Sequence, residues 1–366
     1  MFRLALVSLS FLFFTSCHTS KQTISDHTDA VNATALQPVG RSRITPNQTL
    51  ELISSAVHFT VRFQDTACDV YTSLPSGLDH NYLQYELDGM YQKRVRIFTG
   101  HAPLHISTTA GMHTLTIYKA TEAQTGAVFI EKVSAHHIQS IAPPSLPLIE
   151  FIGNSITCGA DADTSDAPCN TAPYHDYTNA YMAYGPRVAR ALNINYIMSS
   201  VSGIGIYRNW NSDGPTMPQV YEKTGLIIED KDAWNFKTYT PKVVSIALGT
   251  NDFSKGDGKK PRSPFDSATF VSRYIAFVNL VQSKYPQAQI ALLSSPMLHD
   301  SARALLQNCL MAVKTLVDEQ HGAAKPLVVY FFQPMQARGC DGHPSVEDHA
   351  ILANELLPFF KTLMGK

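Results

Sequence analysis

Leu148-Ile149-Glu150-Phe151-Ile152-Gly153-Asn154-Ser155-Ile156-Thr157 is the stretch from which the fold of this 366-residue chain is best predicted. Its first five residues are mostly apolar and predict a short buried strand. Ser155 follows that strand after only a glycine and an asparagine, so its hydroxyl should lie at the carboxyl end of the strand, where open α/β sheets form their sites. The surrounding sequence is not G-x-S-x-G, which disfavours the strained strand-to-helix turn of that motif.

Downstream of this strand, short apolar runs alternate with amphipathic helical patterns. The predicted strands are 194–198, 243–248, 289–293 and 328–332, and the predicted helices are 179–192, 267–285, 301–320 and 346–364. Alternating strands and helices favour a parallel sheet with helices on both faces. We therefore predict a three-layer α/β domain over residues 147–366.

Upstream of the same strand, apolar and polar residues alternate between about residues 44 and 141. The clearest run is Val57, Phe59, Val61 and Phe63. A period of two, with turn residues between the runs, indicates antiparallel strands. We predict an all-β sandwich over residues 41–142, separated from the α/β domain by a proline cluster at 143–147.

The first 17 residues have the pattern of a secretory signal, with Arg3, an apolar run over 4–14, and then Cys17. A cysteine at this place resembles the cleavage box of bacterial lipoproteins, in which Cys17 would be acylated. The alternative is an ordinary signal peptide in which Cys17 is incidental. Both predict an exported protein, anchored at the periplasmic or outer surface if the lipoprotein assignment holds. Residues 18–40 are polar and predict a flexible linker.

The charge content of the chain limits the classes of binding partner that it is expected to have. The formal net charge is −1, and 16% of residues are charged, below the usual ~25%. Nucleic acid and an anionic membrane surface are therefore disfavoured, and a neutral substrate fits better. No later apolar run approaches the roughly 20 residues of a membrane span. Membrane contact is expected only through a lipid anchor at Cys17.

Five cysteines follow Cys17, an odd number, so at least one is free or pairs outside the chain. We predict the pairs Cys158–Cys169 and Cys309–Cys340. The cysteine spacing does not resemble a zinc site, and neither a metal nor an organic cofactor is implied.

Three residues could complete a site around a Ser155 nucleophile. Gly203 follows the strand 194–198, and Asn251 follows the strand 243–248, so a backbone N–H and a carboxamide could stabilise an oxyanion. His343 lies in the loop that enters the last helix and is the candidate base. Taken singly, each is most often a turn or solvated residue. Together they indicate a serine esterase.

These positions carry a resemblance to a known family. Gly153-Asn154-Ser155-Ile156-Thr157, Gly203, Gly249-Thr250-Asn251-Asp252 and Asp341-Gly342-His343-Pro344 resemble the four signature blocks of SGNH (GDSL-type) hydrolases. The resemblance implies that Ser155 is the nucleophile and His343 the base. It implies an oxyanion hole made by the N–H groups of Ser155 and Gly203 and the side chain of Asn251.

Residues 111–122, ahead of residues 151–159, are similar to carbohydrate esterase family 2. This implies a jelly-roll domain joined to an SGNH domain, acting without a cofactor to remove acetyl groups from polysaccharides such as acetylated xylan or glucomannan. Two other functions remain open: an SGNH esterase of other acyl esters, or a carbohydrate-binding lipoprotein with a weak or inactive esterase domain.

The sequence departs from the family pattern at two places. Asn154 replaces the usual aspartate before the nucleophile, but its side chain can still accept backbone hydrogen bonds. The usual D-x-x-H spacing is absent, since Cys340 stands three residues before His343 and Asp341 only two. Either Asp341 reaches the imidazole through altered loop geometry, or a backbone carbonyl orients the imidazole and the enzyme uses a Ser-His dyad.

Three aromatic residues are candidate platforms for a sugar ring: Tyr207, Trp210 and Trp234. For Tyr207 and Trp210 the alternative is simple packing within the loop that follows Gly205. For Trp234 the sequence does not fix where its loop runs.

Overall fold

A computed structural model describes residues 29–100, 102–259, 261–321 and 325–366. The predicted signal segment, residues 1–17 with Cys17, and the first part of the predicted linker lie outside the described residues. Within the described part, no helix is both long and apolar enough to cross a bilayer.

The first domain is built from antiparallel strands. They are β1 (Ala30–Asn32), β2 (Ser42–Ile44), β3 (Leu50–Leu52), β4 (His58–Ser73), β5 (His80–Leu87), β6 (Met90–Phe98), β7 (Leu104–Lys119), β8 (Val128–Ser134) and β9 (Gln139–Ile141). The sheet order is β2-β3-β8-β4-β7-β5-β6, with β1 added beside β8 and β9 beside β4. The alternating side chains of Phe59, Val61 and Phe63 all point into the core, as their period predicts.

The predicted linker extends too far toward the domain. Ala30–Asn32 pairs with β8, and Val31, Leu36 and Val39 are buried. The segment is polar on average, but Val31 and Leu36 pack in the core of the antiparallel domain, and Val39 packs with Leu148 and Ile197. This burial offsets the entropy cost of ordering the chain. Within the described residues, the antiparallel domain therefore begins near residue 30, not at residue 41.

The second domain contains a five-stranded parallel sheet. Its strands are β10 (Leu148–Gly153), β11 (Asn195–Ser200), β12 (Val243–Ala247), β13 (Gln289–Leu293) and β14 (Val328–Tyr330), in the order β11-β10-β12-β13-β14. Its helices are α1 (Ser155–Cys158), α2 (Tyr184–Leu192), α3 (Met217–Val220), α4 (Thr250–Phe253), α5 (Ser267–Lys284), α6 (Asp300–Gln320) and α7 (Val346–Met364). Apolar clusters cover both faces of the sheet, which confirms the predicted layers.

One predicted helix starts later than expected. The side chain of Asn179 accepts a hydrogen bond from the N–H of Met182 and caps a single 3-10 turn. The α-helix α2 begins only at Tyr184, two residues after this turn ends. Asn179 therefore caps a short turn ahead of the helix and does not start the helix itself.

A buried arginine joins the two domains. Arg41, next to β2, is fully buried, and its guanidinium donates to Oγ of Ser199 at 3.0 Å and to the carbonyl of Tyr221 at 2.9 Å. The carboxylate of Glu150 on β10 lies 3.9 Å away. Because a buried charge left without these partners would be very costly, the contact fixes one domain against the other.

Candidate active site

Ser155 begins helix α1 directly after β10, at the carboxyl end of the sheet, as predicted. Its side chain is only 7% exposed. The preceding residue, Asn154, caps the helix: its Oδ1 accepts a hydrogen bond from the N–H of Ile156 at 3.1 Å. Asparagine therefore keeps the backbone hydrogen bond that the usual aspartate would make, without adding a charge beside the serine.

His343 lies within hydrogen-bond distance of Ser155. Its Nε2 is 2.9 Å from Oγ of Ser155, although the two residues are 188 positions apart in the chain. Burial lowers the pKa of His343 below its usual value, against the opposing effects of the Cys340 backbone and the Asp341 carboxylate. The imidazole is therefore neutral at neutral pH and can accept the serine proton.

The loop that carries His343 is held by the start of the last helix. Ser345 caps α7, and its Oγ accepts from the N–H of Asp348, while the Asp348 carboxylate accepts from the N–H of Ser345 at 3.0 Å. The two hydrogen bonds form a capping box, which fixes the start of the helix. His343 thus stands two residues ahead of the N-cap of this helix.

A carboxyl group that sequence reasoning missed lies on the other side of His343. Oδ2 of Asp161 is 3.3 Å from Nδ1 of His343, without the alignment of a hydrogen bond. Asp161 is 2% exposed and has φ 55°. Its carbonyl accepts from the N–H of Cys340 at 2.8 Å, and a Cβ on Gly339 would come within 2.5 Å of that carbonyl. Glycine at 339 is what lets the two loops meet.

Asp341, the acid considered from the sequence, is placed differently. It borders the pocket that Ser155 and His343 also line, but its side chain is exposed and makes no hydrogen bond to the imidazole within the described residues. Burial is the main reason that the pKa of Asp161 is raised to about 7, and the charge of Asp341 adds to the effect. The negative charge of Asp341 therefore disfavours the ionised form of Asp161 and favours the imidazolium form of His343.

Two residues that line the pocket, Ser155 and Gly203, have backbone N–H groups that bond to no group in the described part of the chain. Gly203 follows β11 and has φ 73°, a conformation that favours glycine. Within the described chain, no hydrogen bond uses the N–H of Gly203 or that of Ser155. Both residues border the same pocket. The arrangement therefore offers two free donors beside the hydroxyl of Ser155.

Asn251 adds a side-chain donor. It lies in the short helix α4 after β12, is 6% exposed, and borders the pocket. Its Nδ2 donates to the carbonyl of Ile204 at 2.8 Å. That bond fixes the carboxamide and leaves its second hydrogen for a ligand, as an oxyanion donor requires.

The next residue, Asp252, holds the loop that follows Gly203. Its buried carboxylate accepts from the backbone N–H groups of Ile206, Tyr207 and Arg208 at 2.9–3.2 Å. Burial raises the pKa of Asp252 to about 6, against the lowering effect of these donors. Asp252 appeared in the sequence motif without a role. The structure makes it the residue that orders the loop carrying Gly203.

Of the three predicted aromatic platforms, one borders the pocket. Trp210 does so and is 46% exposed. Tyr207 instead packs against Phe265 and Phe270. Trp234 is 8% exposed beneath the guanidinium of Arg41, 4.9 Å from its ring centre. Neither Tyr207 nor Trp234 reaches the pocket, because the Tyr207 ring packs against two phenylalanine rings and the Trp234 ring packs against the guanidinium of Arg41.

A second aromatic residue, absent from the sequence-based set, also borders the pocket. Tyr174 is 37% exposed, and its hydroxyl donates to Oγ of Ser202. It lies in the long loop after α1, whose course the sequence does not indicate.

The first domain reaches into the site. The carboxylate of Glu122 accepts from the N–H of Ser202 at 2.6 Å, and Gln124 borders the pocket. Glu122 is buried, and it ends the block of residues 111–122 that carried the resemblance to carbohydrate esterases. The antiparallel domain therefore helps to position the residue next to Gly203.

The predicted disulfide pairs are wrong. Cys169 bonds to Cys340, 171 positions away. Cys158 faces the core, where its Sγ lies 3.2 Å from Oγ of Ser200, and Cys309 packs in the apolar core around α6. The bond joins the loop after Ser155 to the loop before His343, so it ties together the two segments that carry these residues.

A parallel sheet with a serine after β10, donors after β11 and β12, and a histidine before the last helix is the arrangement of an SGNH hydrolase domain. The chain belongs to the GDSL-like lipase/acylhydrolase family, whose model matches residues 151–351. A model described as carbohydrate esterase 2 N-terminal matches residues 38–144. The two matches fall on the two domains, and together they identify the domain pair of family 2 carbohydrate esterases.

Individual relatives agree with this. The chain is 32% identical to the cellulase/esterase CelE of Acetivibrio thermocellus over 85% of this chain, a match that spans 37% of CelE. It is 26% identical to an acetylxylan esterase / glucomannan deacetylase of Cellvibrio japonicus, over 96% of both proteins. A solved family two carbohydrate esterase from Clostridium thermocellum, in complex with cellohexaose, is 27% identical with a TM-score of 0.77. That match covers 92% of this chain and 99% of the other.

Proposed function

We propose that this protein is a serine esterase that removes O-acetyl groups from polysaccharides of the acetylated xylan or glucomannan type. The observation that carries the proposal is the 2.9 Å contact between Oγ of Ser155 and Nε2 of His343, in a pocket lined by unpaired donors. The chemistry needs a nucleophile, a neutral base and an oxyanion hole, and these residues supply all three.

The mechanism follows from the geometry. His343 takes the proton of Ser155 as the hydroxyl attacks the acetyl carbonyl carbon. The N–H groups of Ser155 and Gly203 and the carboxamide of Asn251 stabilise the oxyanion. His343 then protonates the departing sugar hydroxyl, which leaves an acetyl group on Ser155. Water, deprotonated by His343, attacks this acetyl-enzyme, and acetate leaves as the proton returns to Ser155.

In this proposal Asp161, not Asp341, orients the base. Asp161 is buried and lies 3.3 Å from the nitrogen of His343 that faces away from Ser155. A carboxylate there stabilises the imidazolium that forms during attack. Catalytic hydrogen bonds are often long before substrate binds. In this proposal Asp161 and His343, which are not aligned for a hydrogen bond here, become aligned when substrate enters the pocket.

The substrate class is supported by the relatives and by the shape of the site. The full-length relative from Cellvibrio japonicus carries the name acetylxylan esterase / glucomannan deacetylase, and the solved relative holds cellohexaose. The exposed rings of Trp210 and Tyr174 beside Ser155 can pack on sugar rings. Acetylated main chains of hemicellulose would fit a pocket that is open and aromatic at its rim.

Acetate release from three polymers tests the substrate. The enzyme is incubated with acetylated xylan, acetylated glucomannan and O-acetylated peptidoglycan, and acetate is quantified over time. We expect release from the first two. Release from peptidoglycan alone would overturn the plant-polysaccharide assignment and favour an envelope esterase, and release from none would favour a binding protein.

The proposal includes export and a lipid anchor at Cys17. The Cys169–Cys340 bond supports an oxidising compartment, because such bonds persist mainly outside the cytoplasm. Metabolic labelling with a fatty acid, compared between the wild type and Cys17→Ala in a bacterial host, tests the anchor. Equal labelling of the two proteins would contradict it.

In the same proposal the antiparallel domain has the jelly-roll topology of the family.

A further inference from the structure

Three metal-binding side chains converge where the two domains meet, away from the pocket around Ser155. His80 comes from β5 of the first domain, and His175 and Asp176 come from the 3-10 turn Tyr174–Tyr177 of the second. Nε2 of His80 is 2.5 Å from Oδ1 of Asp176 and 3.0 Å from Nε2 of His175. Nε2 of His175 is 3.5 Å from the same Oδ1. The three potential ligand atoms thus lie within 3.5 Å of one another.

Hydrogen bonds among these three side chains cannot satisfy all three atoms. Nε2 of His80 can carry one hydrogen, but it has two close neighbours, the carboxylate of Asp176 and the ring nitrogen of His175. If that hydrogen is donated to Asp176, none remains on His80 for the 3.0 Å contact between the two ring nitrogens. Asp176 is fully buried, so an imperfect hydrogen bond is costly there. A cation between the three atoms would satisfy all of them at once.

The surrounding residues have the positions of second-sphere partners. Nδ1 of His80 is 3.2 Å from Oδ2 of Asp79, and a carboxylate on this nitrogen leaves Nε2 free to bind a metal. Arg96 holds the other oxygen of Asp176, Oδ2, and so turns Oδ1 toward the histidines. Arg96 therefore fixes the carboxylate without taking the oxygen that points to the shared centre.

We propose that His80, His175 and Asp176 bind a zinc-type divalent cation that clamps the two domains. Two imidazoles and one carboxylate are a zinc donor set. Tetrahedral zinc with bonds of about 2.0–2.1 Å separates its ligand atoms by about 3.3 Å, inside the range of the three separations here. The side chain of His175 is 18% exposed, so water can reach the fourth position.

The cation would support the active site without joining the reaction. None of its three ligands borders the pocket that contains Ser155. Tyr174, the residue before His175, does border it and donates to Ser202. A metal that fixes His175 to β5 would therefore also fix Tyr174, through the backbone of a single turn.

Metal analysis tests the site independently of esterase activity. Protein freed of its purification tag is stripped with a chelator, titrated with zinc against a chromophoric competitor, desalted and analysed by mass spectrometry for bound metal. The variants are His175→Ala and His175→Gln, checked by circular dichroism. The control is His321→Ala, since His321 is an exposed histidine that contacts Asn279.

We expect one equivalent of zinc in the wild type and in His321→Ala, and none in the two His175 variants. Zinc at about a hundredfold excess over its dissociation constant should raise the wild-type melting temperature by about 5 °C or more, and should not affect the variants. No bound zinc and no thermal shift in the wild type would overturn the proposal, as would unchanged zinc in both His175 variants.

If both variants lose their fold, chemical modification of the wild-type protein still tests the proposed zinc site. Diethyl pyrocarbonate modifies accessible imidazoles, and peptide mapping reports the modification of His175 alone. Zinc should block that modification and leave His321 reactive. Equal modification of His175 with and without zinc would overturn the proposal.

Discussion

Asp161 and His343 face each other across two loops, with Oδ2 of the acid 3.3 Å from Nδ1 of the imidazole. The other nitrogen of the same ring is 2.9 Å from the hydroxyl of Ser155. The imidazole thus stands between a hydroxyl and a buried carboxyl. Asp161 follows Ser155 by only six residues, and it does not come from the loop of the histidine.

The first prediction separates the two candidate acids. Asp161→Asn should lower kcat on a chromogenic acetate ester by at least about 10²-fold, because the imidazolium loses its carboxylate. Asparagine tolerates the positive φ at this position, so the loop should keep its shape. Asp341→Asn, the matched control, should change kcat by less than about threefold. The reverse order of effects would restore Asp341 as the orienting acid.

The second prediction concerns the pH dependence of the rate. Burial raises the pKa of Asp161 to about 7, and burial lowers the pKa of His343. The acid limb of kcat/KM should therefore fall near pH 7 in the wild type, where Asp161 loses its negative charge. In Asp161→Asn the limb should move below about pH 6.5, to the pKa of the histidine alone. An unmoved limb would contradict the assignment.

The same pKa shift predicts a gain in stability. A carboxyl whose folded-state pKa is raised stabilises the fold at low pH, and this contribution is lost as the pH rises from about 4 to 7. Asp161→Asn stays neutral throughout. Its melting temperature should match that of the wild type below about pH 4 and exceed it at pH 8. A variant less stable than the wild type at pH 8 would show that the carboxylate itself holds the fold.

The third prediction concerns the bond between Cys169 and Cys340. Replacing both cysteines by serine should lower the free energy of unfolding by about 2–4 kcal/mol. It should also lower kcat, because the loops of Asp161 and His343 are no longer tied together. Dithiothreitol should affect the wild type similarly and leave the double variant unchanged. Further loss of activity in the reduced double variant would point to a different bond.

The fourth prediction compares two tryptophans. Trp210→Ala should raise KM for acetylated xylan about tenfold, or about 1.4 kcal/mol, with little change for a small acetate ester, because the ring contacts only the polymer. Trp234→Ala should instead cost about 3–5 kcal/mol of stability, since its ring is buried beneath Arg41. Equal KM effects of the two changes on the polymer would contradict this distinction.

Much of the fold could be predicted because its signals are local. The strand β13 begins and ends where the apolar run predicted it, and so does the helix α7. Ser155, Gly203 and Asn251 could be placed together because the ends of parallel strands share one edge of the sheet. Each of these inferences needs only a short window of sequence and one general rule of sheet geometry.

The missed features depend on where loops go. Asp161 reaches His343 through a left-handed turn and a close approach that only Gly339 allows. Cys169 meets Cys340 because those same two loops meet, so the sequence-nearest cysteine was the wrong partner. Trp234 was misjudged for a similar reason, since a long loop carries it back to Arg41. Periodicity does not describe such paths.

The central claim is that Ser155 carries the acetyl group. The direct measurement is the intact mass of the protein quenched in acid during turnover of a chromogenic acetate ester, with peptide mapping, for the wild type and Ser155→Ala. We predict a single added acetyl group on Ser155 in the wild type. The variant should carry none, and its kcat should be lower by about 10⁴-fold or more. An equal rate in Ser155→Ala, or an acetyl group mapped to another residue, would contradict the account.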